Sequence, residues 1–243
     1  RFATNHFLVD GHCVKGLLVD QDHIPSSQIS VIHLGVDPAI MKRDPVGRVR
    51  IRAEFDIPED AIVIGNVGRL VPMKGQEFLV RAFAAVADRF GHATLFIVGD
   101  GEMMPDLKAL ATKLHIGTRI LFAGFRDDLP AIYSAFDVYA HSSVEGGGET
   151  FPFAVLQALA EELPIVATNV GDVAEMIEEG VTGFLVPDRD EEALATSLAE
   201  LLADSNLRHR MAKGSHSRFL RLFTRDRMVD DIVEIYERVL GES

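Results

Sequence analysis

The sequence predicts an α/β fold: a parallel sheet covered by helices on both faces, followed by extra C-terminal helices. Two observations carry this expectation. From Ile62 onward, short apolar runs alternate with segments of helical periodicity, the rhythm of strands buried on both faces and joined by helices. After "TGFLVP" the strands stop, and charged amphipathic segments run to the C-terminus.

The elements follow in order. "FLVDGHCVKGLLV" is a helix candidate and "ISVIHL" a strand, whereas "GVDPAIMKRDPVGR" is polar and marked by proline, as expected of a linker. A boundary is therefore placed at Gly35 to Arg52. The pieces ahead of it are too few to bury a core and read as the tail of a preceding domain. The chain starts at Arg1 without an initiator Met, as expected of a fragment of something longer. "IVIGNVG", "TLFIVG", "RILFAG", "DVYAHS" and "PIVATNVG" read as buried strands. Between the first two, Phe78, Leu79, Ala82, Phe83 and Val86 form one helical stripe. Further helices fit Met103 to Leu114, Leu129 to Ala135 and Phe153 to Glu162. Three more fit Glu191 to Ala203, Leu207 to Phe223 and Arg225 to Leu240.

Composition excludes several classes. The chain has 243 residues, 47% of them hydrophobic, enough for a packed core. A formal charge of −13 argues against nucleic acid as a partner. One cysteine, Cys13, forms no intrachain disulfide, which with the absence of a membrane-length run or signal pattern points to a reducing cytoplasm. The nine histidines show no metal-ligand spacing, and no Gly-x-Ser-x-Gly elbow occurs.

Four strand-end turns are candidate ligand sites, because ligands of open α/β sheets lie outside the carboxyl ends of the strands. In "GNVGRLVPMKG", Arg69 and Lys74 form either a local positive trap for a diphosphate or two ordinary surface cations. "IVGDGEMM" carries Gly99 and Gly101 but lacks the third glycine of the dinucleotide fingerprint, which weakens an oxidoreductase reading; a tight strand-to-helix turn is the plainer one. In "FAGFRDDLP", Phe125 and Arg126 could meet a base, while Asp127 or Asp128 reads as a helix N-cap. The fourth turn, "VEGGGETFPF", sets Gly146, Gly147 and Gly148 ahead of Glu149, Thr150, Phe151 and Pro152. Bare backbone plus the positive end of a helix beginning there make an anion site. Gln157, eight residues beyond Glu149, is polar within an apolar run and is either a second ligand contact or a solvated helix residue. Asp188 and Asp190 resemble a metal-holding pair, but Asp190 is better read as the N-cap of the next helix.

Taken together, "VGRLVPMKGQEFLVRAF", "LFIVGDGEMMPDL" and the run from "RILFAGFRDD" to "VPDRDEEALA" resemble the donor-binding domain of retaining glycosyltransferases of GT-B fold, the family 4 group. The resemblance runs from about Ile29 to Leu240. It implies a Rossmann-like doubly wound parallel sheet, one half of a GT-B fold. It also implies a remnant of the N-terminal acceptor domain over residues 1–34, an interdomain linker over 35–52 and a nucleotide-sugar donor domain over 53–243. By resemblance, Arg69 and Lys74 hold the donor diphosphate, and Glu149 is the first acid of the Glu-x7-Glu motif and contacts the transferred sugar. Gly68, Gly99, the glycine loop, Thr150 and Phe151 border the donor, while Phe125 and Arg126 border its base. The second acid of the motif, which contacts ribose, falls at Gln157, a departure from the family pattern. The implied partners are a nucleotide diphosphate sugar, a hydroxyl acceptor of lipid or glycan type and the missing N-terminal domain. No cofactor or metal is implied, and the implied place is the cytoplasm, peripheral to a membrane in the full-length enzyme.

Overall fold

The computed structural model describes residues 4–146 and 148–241. Its first unit is small. Strand β1 (Phe7–Val9) pairs in parallel with β2 (Ile29–Val31), and α1 (His12–Asp20) crosses between them. The stretch expected as one helix is thus a strand followed by a helix. Gly11 breaks it, and the Asp172 carboxylate, 159 residues on, accepts from the Cys13 amide at 2.9 and 3.0 Å. Such a cap supplied from a distant loop leaves no local trace.

A second difference is α2 (Pro45–Glu54), which lies inside the segment expected as a linker. Asp44 caps it by accepting from the Gly47 amide, and Pro45 occupies the first turn, where its missing amide costs nothing. The helix is rich in arginine and reads as polar, yet Arg52 is only 7% exposed. Its guanidinium donates to the Asp137 carboxylate at 2.6 Å and to the carbonyls of Ala135, Pro58, Glu59 and Ala61. Buried charge of this kind is tolerated because every donor finds an acceptor.

The main sheet matches the expected fold class. It comprises β3 (Ile62–Val67), β4 (Ala93–Val98), β5 (Ile120–Phe122), β6 (Val138–His141), β7 (Ile165–Thr168) and β8 (Gly183–Val186), ordered β5-β4-β3-β6-β7-β8 with every pair parallel. This is the order of a doubly wound, Rossmann-like sheet. Its topological switch point lies between β3 and β6, where a crevice opens outside the strand ends.

Alternate strand residues face two cores. On one face, Val63 and Phe96 pack with Ile51 of α2, Tyr133 of α5 (Leu129–Ser134), Leu156 of α6 (Phe153–Ala160) and Phe219 of α9 (Ser205–Leu222). On the other, Ile64, Leu95 and Ile97 pack with Leu79 and Phe83 of α3 (Gln76–Ala87), Leu107 of α4 (Met104–Lys113) and Leu198 of α8 (Glu191–Ala203). The short α7 (Val173–Met176) joins β7 to β8. Asp190 caps α8 as expected, accepting from the Ala193 amide at 2.9 Å. Finally α10 (Arg225–Gly241) returns to the N-terminal part of the chain: Arg225 pairs with Asp37 at 2.6 Å, and Arg238 donates to Ser30 of β2 at 3.0 Å. Among the described residues, no helix is long and apolar enough to cross a membrane.

Candidate functional site

A cavity of about 250 Å³ lies at the switch point. Its wall is made from Asn66 to Arg69 at the end of β3, Lys74 and Gln76 before and on α3, His141 to Ser143 at the end of β6, Glu149, and Pro152 to Ala154 at the start of α6. Residues from separate segments meet here because parallel strands deliver all their carboxyl ends to one edge.

The loops are fastened to one another. Gln76 Nε2 donates to the Arg69 carbonyl at 3.0 Å, Ser142 Oγ to the Lys74 carbonyl at 2.9 Å, and the Val144 amide to the Met73 carbonyl at 3.0 Å. These bonds fix the backbone on both sides of Lys74. Its Nζ donates to Glu149 Oε2 at 2.5 Å, and Ser143 Oγ donates to the same oxygen at 2.5 Å. Burial alone would raise the Glu149 carboxyl, but His141, Lys74 and Ser143 around it hold it below its ordinary value. His141 Nε2 stands 3.6 Å from Glu149 Oε2. Burial outweighs that carboxylate and pushes the imidazole down to about 4, so the ring is neutral near pH 7. Arg69 lines the cavity with an exposed side chain and forms no ion pair among the described residues.

Of the residues singled out in the sequence, Gly68, Arg69, Lys74 and Glu149 meet in this cavity. Gly99 stands behind it, where a Cβ would lie 1.9 Å from the Gly68 carbonyl oxygen. Close packing of the β3 and β4 ends requires glycine there. Gly146 and Gly148 have φ of +81° and +74°, while a Cβ at either would meet nothing within 4 Å. Their immediate need is thus left-handed backbone rather than contact with another part of the chain. Gly147 lies outside the described residues. Asp188 does not stand as half of a metal pair: its carboxylate accepts from the Glu145 amide at 2.9 Å and pairs with Arg189 at 2.6 Å, which anchors the start of the glycine loop.

Other residues singled out in the sequence take different places. Thr150 Oγ1 donates to Asp10 at 3.4 Å rather than lining the cavity. The Phe151 ring is 3% exposed, stacked on His33 at 5.0 Å and edge-on to Phe223 at 5.7 Å, so it is core that joins the first unit to the main sheet. Helix α6 starts at Phe153, as expected, and Glu149 stands in the loop ahead of it. Gln157 is 8% exposed and accepts from Tyr133 Oη at 3.2 Å; it is neither solvated nor part of the cavity wall. Arg126 is occupied by Glu54 and Asp128, whose hydrogen bonds hold its charge; Asp128 holds the N-cap position of α5, as expected, but spends its side chain on Arg126 and Arg50 rather than on the helix amides. Phe125, 79% exposed, remains open to a stacking partner but lies off the cavity wall.

Sequence reasoning missed Asn66, Gln76, His141 and Ser143. The available signal was a polar residue within an apolar strand: "IVIGNVG" and "DVYAHS" each carry one at the carboxyl end.

Comparison with known proteins follows the same lines. Residues 48–218 match the family described as Glycosyl transferases group 1. The chain is 33% identical over 244 residues to a D-inositol 3-phosphate glycosyltransferase of Salinispora tropica, covering 93% of this chain and 49% of that protein. It is 33% identical over 190 residues to a GDP-mannose-dependent alpha-(1-6)-phosphatidylinositol monomannoside mannosyltransferase of Mycobacterium tuberculosis, covering 74% and 48%. The chain thus spans about half the length of the curated relatives it matches. Among solved structures, a glycosyltransferase from Rickettsia africae superposes with a TM-score of 0.90 at 23% identity, over 98% of this chain and 64% of that one. Anabaena HepE in complex with UDP-glucose superposes with 0.87 at 24%, over 98% and 65%. At these identities the structural likeness speaks for the fold.

Proposed function

The chain belongs to the glycosyl transferases group 1 family and folds as one GT-B-type domain, and from that premise we propose that it is the donor-binding half of a retaining glycosyltransferase. The reaction is transfer of a hexose from a nucleotide diphosphate sugar to a hydroxyl acceptor of lipid or glycan type. The observation that carries the reading is the meeting of Arg69, Lys74 and Glu149 in one cavity at the switch point. In this scheme residues 53–243 bind the donor, 35–52 connect, and 1–34 belong to an acceptor-binding domain.

As the bond from sugar to diphosphate breaks, negative charge grows on the leaving group. Arg69, the first-turn amides of α6 and Lys74 stabilise that charge more than they stabilise the ground state. Lys74 begins paired with Glu149, so it exchanges a carboxylate for the diphosphate as the donor seats, and Glu149 turns to the sugar. Relatives named for GDP-mannose and a fold neighbour holding UDP-glucose make these two donors the first to try.

The test is calorimetric titration of the chain with UDP-glucose, GDP-mannose and ADP-glucose, with NAD as control. Submicromolar to high-micromolar binding of one sugar nucleotide and none of NAD is expected. Replacing the exposed Arg69 by Ala should weaken that binding roughly tenfold or more, as expected for a charged hydrogen bond, without moving the unfolding temperature. Equal binding by the Arg69→Ala variant would remove the assignment. A second reading, a module that holds a nucleotide sugar without turnover, is favoured by Gln157 standing where the family carries its second acid. Turnover by a full-length protein containing Gln157 would dismiss it.

A further inference from the structure

Two polar side chains in the cavity carry atoms without a hydrogen-bond partner among the described residues: Asn66 Oδ1 and His141 Nε2. Both residues are nearly inaccessible, at 3% and 4% exposure. Their chemical identities are fixed by their surroundings. Asn66 Nδ2 donates to the Ala140 carbonyl at 2.9 Å, so the atom left over is the amide oxygen, an acceptor. The Glu149 carboxylate 3.6 Å from His141 Nε2 favours the tautomer with its proton on that nitrogen, a donor. The two residues lie in the carboxyl-terminal parts of β3 and β6, the strands that flank the switch point. Buried polar groups left unpaired destabilise a fold, and those that persist in a cavity wall call for a partner from a ligand.

We propose that Asn66 and His141 form the floor on which the sugar of the donor is recognised, Asn66 Oδ1 accepting from and His141 Nε2 donating to its hydroxyl groups. Hydroxyls suit this floor because each is both donor and acceptor. A phosphate oxygen does not, because it would face Asn66 Oδ1 and the Glu149 carboxylate, two acceptors that repel it. Charge and hydroxyl recognition are thereby separated within one cavity: Arg69 and Lys74 take the diphosphate, and the strand ends read the sugar. This inference rests on the proposed donor-binding reading and adds the residues that select the sugar.

The experiment compares affinities for UDP-glucose and GDP-mannose with those for UDP and GDP, by calorimetry, in the unmodified chain and in Asn66→Leu, His141→Leu and His141→Gln. Both leucine variants are expected to lose about tenfold in affinity for the sugar nucleotide and none for the nucleotide diphosphate, as for a site built to hydrogen-bond a hydroxyl. His141→Gln, which keeps an N–H, should recover part of the loss. A set of monodeoxy sugar nucleotides titrated into the unmodified chain gives the same information without altering the fold. Deletion of one hydroxyl should cost about tenfold there, and nothing further in the leucine variants. Unmodified protein that tolerates every hydroxyl deletion within about twofold, or leucine variants that lose sugar nucleotide and nucleotide diphosphate alike, would overturn the inference while leaving donor binding intact. An unmodified chain that binds no sugar nucleotide at all would overturn the proposed function, and the floor with it.

Discussion

Replacing Glu161 by Gln should make the protein more stable above neutral pH and leave it unchanged in acid. Glu161 follows the last turn of α6 and has no exposed surface. Ser134 Oγ donates to its Oε2 at 2.9 Å, while Oε1 has no hydrogen-bond partner among the described residues. Burial raises its carboxyl from an ordinary 4.5 to about 7, against the lowering effect of the Ser134 hydrogen bond. The unfolded chain therefore releases this proton about 2.5 units earlier than the folded one. The corresponding stability is fully present below pH 4.5 and is lost as pH rises to about 7. At about 1.4 kcal/mol per unit the loss amounts to roughly 3 kcal/mol. Glutamine offers Ser134 the same acceptor and does not titrate. Urea unfolding of both proteins from pH 4.5 to 8.5 isolates the effect, because every other titrating group is common to the pair. The difference in unfolding free energy should start near zero, grow in favour of Glu161→Gln up to pH 7 and stay level beyond. A difference that does not change with pH would refute the reasoning.

Three further outcomes are expected. Lys74→Met leaves the Glu149 carboxylate, 11% exposed, without its cation. It should destabilise by roughly 2 to 3 kcal/mol, at or below the lower end for breaking a buried pair because water still reaches this one, and adding Glu149→Gln should restore most of the loss in urea titrations. Phe151→Ala removes the ring between His33 and Phe223. A cost of about 3 to 5 kcal/mol is expected, together with earlier proteolytic cleavage within the first 34 residues, read by limited digestion and mass spectrometry. Gly148→Ala meets no steric contact but must hold φ at +74°, so thermal unfolding should show a loss of only about 1 to 2 kcal/mol.

The chain's pattern of burial was legible in the sequence because it is local. Short, mainly apolar runs marked five of the six strands of the sheet, and a stripe such as Leu79, Phe83 and Val86 marked its covering helix. Caps obey the same rule: Asp190 announced α8 because its partner, the Ala193 amide, is three residues away. Helix α2 was overlooked although Asp44 and Pro45 form a local start signal. Its buried Arg52 draws on acceptors as distant as Ala135 and Asp137, so the helix reads as polar. Helix α1 is capped from Asp172 and gives no sign of it nearby.

By itself the sequence determined the kind of sheet, five of its six strands and the presence of Arg69, Lys74 and Glu149 at strand ends or in a glycine-marked loop. Only the tertiary structure decided which polar groups face one another. It turned Gln157 towards Tyr133 and Phe151 into the core, and it set Asn66 beside Ala140 and His141 beside Glu149. The physical reason is range. Periodicity records whether a side chain is buried, a property of its own element, whereas Asn66 with Ala140 and Lys74 with Glu149 are brought together by the crossing of strands and loops 74 and 75 residues apart, and no short window of sequence contains both halves of such a pair.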